Sequence, residues 1–143
     1  MISAEEYLRQ LGNINAAIDQ DLKRLEEMRA RAIGGSGIRY DKDRVQSSPV
    51  DSLSAAVISI VDLDSRINQT IDKYVGAKET IIEQIRGLHN ELYTRILYDV
   101  YVQGMTIKET AADIGRGHSI VTKHKSKALK EFEAAYSPLN YLT

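Results

Sequence analysis

From Leu53 to Leu88, apolar side chains return in alternating steps of four and three. The positions are Leu53, Val57, Ile60, Asp64, Ile67, Ile71, Tyr74, Lys78, Ile81, Ile85 and Leu88, and nine of the eleven are apolar. A 3.5-residue repeat sustained over about five heptads is a coiled-coil seam. A helix of about 35 residues is roughly 50 Å long at 1.5 Å per residue. It cannot be buried inside a globule of 143 residues, so it must pair along its length. Gly76 weakens the repeat locally without breaking its register. Asp64 is the one acid in the seam; it reads equally as a polar break that fixes register and as a solvated seam edge.

The natural partner lies upstream. Ser3-Ala4-Glu5-Glu6 has the form of a capping box, in which Ser3 accepts from a free backbone N–H and Glu6 reaches back. Tyr7, Leu8, Leu11, Ile14, Ile18, Leu22, Leu25, Met28 and Ile33 then follow at helical spacing, with Asp19, Gln20, Lys23, Arg24, Glu26 and Glu27 on the wet side. Gly34-Gly35-Ser36-Gly37 is expected to stop this helix, since each glycine costs about 1 kcal/mol against alanine. Residues 34–50 have no apolar periodicity and read as a linker. Pro49 biases Ser48 away from helix, and Asp51 or Ser52 is the expected cap of the second helix. The first helix folding back on the second gives an antiparallel hairpin over residues 1–87. Two helices bury only one seam, so a homodimer or higher oligomer through the long helices is also expected.

Gly87 and His89-Asn90 mark a break. Asn90 can cap a third helix carrying Leu92, Tyr93, Ile96, Leu97, Val100 and Tyr101, which Gln103-Gly104 ends. Thr106-Ile107-Lys108-Glu109 is a second capping box and opens a short helix, Ile107 to Ile114. Gly115-Arg116-Gly117 makes a tight turn, and a final helix runs from about His118 to Tyr136. The fold class is therefore all-α: a long antiparallel helical hairpin, a helix-turn-helix bundle over 88–136, and an apolar tail, 137–143, expected to dock back.

Helix, short helix, glycine turn and basic helix make the helix-turn-helix layout, whose last element lies in the DNA major groove. Ile107, Ala111 and Ile114 face one way, and Ala111 is small where two helices cross. On the last helix Val121, Ala128 and Phe132 share one side, with Ile120 and His124 beside them, and are expected to pack on the short helix. The opposite side carries Ser119, Thr122, Lys123, Ser126 and Lys130, with Lys127 flanking and with Arg116 and His118 in and after the turn. These eight residues are the candidate DNA-binding set. Short hydroxylic side chains near the helix start suit base edges, and the cations beyond suit phosphate.

Charge points the same way. The net charge is −1, but Ile114 to Lys130 holds Arg116, Lys123, Lys125, Lys127 and Lys130 and no acid. The first 89 residues carry 12 basic and 14 acidic side chains, a net of −2. A positive stripe on a near-neutral chain suits a polyanion. A lysine-rich helix face also occurs as plain solvated surface, and the helix macrodipole favours lysine near a C-terminus. The capped short helix and the glycine turn are what tilt the reading to DNA.

Residues 96–106, together with Glu109, Ala111-Ala112-Asp113-Ile114-Gly115, Val121 and Lys127-Ala128-Leu129, resemble region four of bacterial sigma factors. The whole chain is similar to a family of small phage and prophage proteins. In these a helical hairpin precedes the sigma-like module, and the linker carries a segment like Asp43-Arg44-Val45-Gln46-Ser47-Ser48-Pro49. The family is described as transcriptional regulators and grouped with ArpU- and RinA-type activators of late phage genes. The resemblance implies a transcription regulator bound to double-stranded DNA, with RNA polymerase as a further possible partner. The chain departs from the family pattern at Val100, Thr110, Arg116-Gly117 and His124.

Other classes find less support. The chain has no cysteine, which excludes disulfides, zinc ribbons and thiol nucleophiles. His118 and His124 are six apart, off the spacing of a metal pair on a helix. Gly34-Gly35-Ser36-Gly37 lacks the Lys-Ser or Lys-Thr of a phosphate loop and follows a helix rather than a strand. Tyr93, Tyr98 and Tyr101 sit at or near core spacing rather than as base-stacking platforms. No acid, base and nucleophile converge. No enzyme activity, cofactor or metal is expected. The longest purely apolar run, Ala55 to Ile58, is too short for a bilayer, and the start of the chain is no secretory leader, so a cytoplasmic location is expected. The alternative function is a phage assembly or packaging adaptor of the small-terminase kind.

Overall fold

A computed structural model describes the backbone of residues 1–38 and 49–142, and the side chains of residues 1–33 and 53–142. The described residues are all helical or irregular, with no strand. The order is α1 (Ala4–Ile38), α2 (Pro49–Arg86), α3 (Glu91–Leu97) running into a π-helical turn (Tyr98–Val102), α4 (Ile107–Ile114) and α5 (His118–Tyr136). No helix among the described residues is long and apolar enough to cross a membrane.

Two boundaries differ from expectation. α1 does not stop at Gly34 but continues to Ile38. Helix initiation is the costly step, and glycines at the end of a helix already formed do not by themselves terminate it. α2 starts at Pro49, ahead of the expected caps Asp51 and Ser52. A proline fits a first helical position because its missing N–H has no partner there anyway. The rest of the expected linker, residues 39–48, with most of the segment that carries the phage-family likeness, lies outside the described residues.

The chain forms two compact units, Met1–Asn15 with Lys73–Thr143, and Ala16–Asp72. The first takes in residues on both sides of the expected 87/88 boundary. Its core joins Ala4, Tyr7, Leu8 and Leu11 of α1 to Ala77, Ile81 and Ile85 of α2, and to Leu97, Tyr101, Ala128, Phe132 and Leu139. The Tyr7 hydroxyl donates to Gln84 Oε1 at 2.6 Å. The tail docks as expected: Leu139 is buried, its carbonyl accepts from the Ile2 amide at 2.9 Å, and the Leu142 amide donates to Gln10 Oε1 at 2.9 Å. Gln10 is buried, and its amide nitrogen donates to the Tyr7 carbonyl at 2.7 Å. Both ends of that polar side chain are thus satisfied, which burial demands.

In the second unit Leu25 packs with Leu63 and Ile67, flanked by Met28 and Ile60. The heptad stripe is only partly covered here, and its axis is off. Leu63, one edge of the stripe, is buried while Leu53, Val57 and Ile71 on the stripe itself are exposed. An apolar stripe wider than one neighbour can cover is buried on one edge only. Asp64 stands at 3.9 Å from Arg29 with its side chain half exposed.

The α2 terminus shows why Gly87 is a glycine. A Cβ there would run into the Tyr136 hydroxyl, which donates to the Gln84 carbonyl at 2.6 Å and so satisfies one of the free carbonyls of the helix end. Gly87→Ala is expected to cost about 2 kcal/mol by overpacking. In a Tyr136→Phe background the same change should cost much less. Denaturant unfolding of the four proteins measures the difference.

Candidate nucleic-acid interface

The local sequence explains each piece of the C-terminal module. Asn90 caps α3, its side chain accepting from the Tyr93 amide at 3.0 Å. The Thr106 box is complete: the Glu109 amide donates to Thr106 Oγ1 at 3.1 Å, and the Thr106 amide donates to Glu109 Oε1 at 2.9 Å. The bond from the Thr106 amide stabilises the carboxylate and lowers the Glu109 pKa, and the Thr106 side chain adds to it. Gly115 ends α4 in the left-handed region, φ 69°, and the next amide, Arg116, donates to the Ala111 carbonyl at 3.0 Å. Gly117 starts α5 with no side-chain cap, as glycine must. The third helix is not uniform, because its second half is π-helical.

The two ends of α5 are held differently from expectation. Val121 packs with Ile96 and Ala111, alongside Ile107 and Ile114. Ala128 and Phe132 belong instead to the core that includes Tyr7, Leu8 and Ile81. Only the first of the three thus packs in the cluster of the short helix. Ile120 is not in that packing at all: it is 44% exposed. His124 is half-buried, as expected, with the Tyr93 ring at 6.1 Å.

All eight candidate residues, Arg116, His118, Ser119, Thr122, Lys123, Ser126, Lys127 and Lys130, are exposed. The Thr122 hydroxyl donates to the His118 carbonyl at 3.0 Å. Its proton is therefore committed, and the exposed hydroxyl oxygen is left as an acceptor. Lys125 differs from its neighbours. Its ammonium lies 4.0 Å from Glu5 and 5.7 Å from the centre of the Tyr101 ring, so this fifth cation is held inward. Sequence reasoning missed Ile120 as a surface residue; its position at about 200° on the α5 wheel, next to Lys127 at about 180°, was the available signal.

Asp99 and Thr110 are buried, and Asp99 Oδ2 and Thr110 Oγ1 have no hydrogen-bond partner. Burial first, then the nearby Asp113 carboxylate, push the Asp99 pKa up to about 6, with Arg95 opposing. Arg95 lies 3.5 Å from Asp113. An acid whose folded pKa exceeds its unfolded value near 3.8 favours the native state below pH 4, and that contribution is lost as pH rises through 6. Asp99→Asn keeps the shape and removes the charge. It is expected to stabilise the protein by at least about 1 kcal/mol at pH 7.5 and to make no difference near pH 4, read by denaturant unfolding at both.

Comparison with protein-family models, curated proteins and solved structures returns no match. Among the described residues no group of three or more His, Asp or Glu could hold a metal ion.

Proposed function

We propose that this protein is a sequence-specific DNA-binding transcription regulator that reads the major groove with the outward face of α5. The observation that carries the reading is the division of that helix. Val121, Ala128 and Phe132 are buried, and the eight polar and basic candidates around and opposite them are exposed together. The glycine turn and the complete capping box support it, since two helices joined by such a short turn are the sequence order of a helix-turn-helix. On this reading Ser119, Thr122 and Ser126 approach base edges. Arg116, Lys123, Lys127 and Lys130 meet phosphate, and His118 lies near the backbone. RNA polymerase is a further partner that the likeness to sigma region four suggests.

A lone module of this kind buries about 600–1,000 Å² on DNA, at the small end for useful specificity. Self-association through the long helices would supply a second half-site. The test is selection of bound fragments from random duplex DNA by the full chain at stated salt. Enrichment of one motif, repeated at an integral number of helical turns, is the expected result. Recovery of unenriched sequence at low salt, with none retained at physiological salt, would overturn sequence-specific reading.

A further inference from the structure

The second unit leaves an apolar edge uncovered on α2, and its pattern is a second heptad. Val57, Val61 and Ile71 are 48%, 58% and 37% exposed. With Val61 and Asn68 written as a positions, Val57, Asp64 and Ile71 fall at d. This seam is offset around the helix from the edge that Leu63 and Ile67 present to Leu25. Exposed apolar side chains recurring at this spacing give α2 a face that a partner can cover.

We infer that a second copy of this chain covers this edge, pairing α2 with α2 in parallel and in register. The inference rests on the proposed function only for its purpose, the supply of two reading heads. Two features select a second copy over an unrelated partner. Asn68 holds an a position. An amide carries both donor and acceptor, so an asparagine is its own complement across a two-fold axis, and a single polar a position fixes register and oligomer state. Asp64, which would face its own copy at a d position, has Arg29 at 3.9 Å on its own chain, so its charge is met before the copies approach.

The chain has no cysteine, so single engineered cysteines report contact without background. In the full chain, Val61→Cys and Asn68→Cys should each form a disulfide-linked dimer under mild oxidation. Gln69→Cys, exposed but turned away from the seam, should not. By sedimentation the wild-type protein should be a dimer. Val61→Glu, an exposed site in the single chain, should weaken the dimer about 100-fold with unchanged helical circular dichroism. A wild-type monomer at tens of micromolar would overturn the inference. So would a trimer or larger ring, or a dimer indifferent to Val61→Glu. Cross-linking of the Asn68→Cys protein without cross-linking of the Val61→Cys protein would overturn the parallel register. A monomer that still binds duplex DNA fails this inference alone, and a dimer that binds no DNA fails the proposed function alone.

Discussion

Lys123→Glu is expected to weaken binding to duplex DNA by about 100-fold or more while leaving thermal unfolding unchanged. Lys123 is exposed in the middle of the outward face of α5, so nothing in the fold depends on its ammonium. On the proposed reading, reversal removes one phosphate contact and sets a carboxylate against the polyanion; like charges brought together cost several kcal/mol, and each 1.4 kcal/mol is about tenfold. Lys125 supplies the control two residues away. Its ammonium is turned toward Glu5 and the Tyr101 ring, so Lys125→Gln should leave DNA affinity within about twofold. Titration of a labelled duplex by Lys123→Gln and Lys125→Gln, which each remove one charge, separates a specific face from a general effect of net charge. Equal losses from the two would assign the binding to bulk positive charge.

Phe132→Ala should cause the largest loss of stability of any single change in α5, about 3–5 kcal/mol. The ring is fully buried, with the Tyr7 ring 5.7 Å away and the Tyr136 ring 4.9 Å away. It ties the C-terminal half of α5 to α1 and α2 in one core. Small domains are stable by only about 5–15 kcal/mol in total. The variant should therefore have a markedly lower Tm, and its DNA affinity should fall only as far as its folded fraction falls. A loss of less than about 1 kcal/mol in denaturant unfolding would mean that α5 is not anchored there.

The parts of this fold written in short-range chemistry were legible from the residues. The Ser3 cap, the Thr106 box, the Asn90 cap and the left-handed Gly115 each depend on neighbours three or four residues away, and the structure has them. What could not be read was which distant surface each apolar face meets. A 3.5-residue repeat says that α2 has an apolar stripe. It does not say that the neighbour takes the Leu63 edge and leaves Val57 and Val61 open. In the same way Val121, Ala128 and Phe132 share a face, yet they end in two cores, because one face of a 19-residue helix can touch several elements. Ile120 lies beside the buried face on the helical wheel, yet the structure leaves it 44% exposed. The eight candidate binding residues follow from charge and spacing, and the structure shows only that each is exposed.

The most direct measurement of the central claim is the salt dependence of binding by the full chain to a short duplex. Four cations at phosphate, Arg116, Lys123, Lys127 and Lys130, predict that log K falls with log salt at a slope of about −4 per module. Lys123→Glu should bring that slope to about −3 or shallower. A flat dependence, or no binding to any duplex at about 50 mM salt, would contradict the assignment of α5 as the DNA-reading helix.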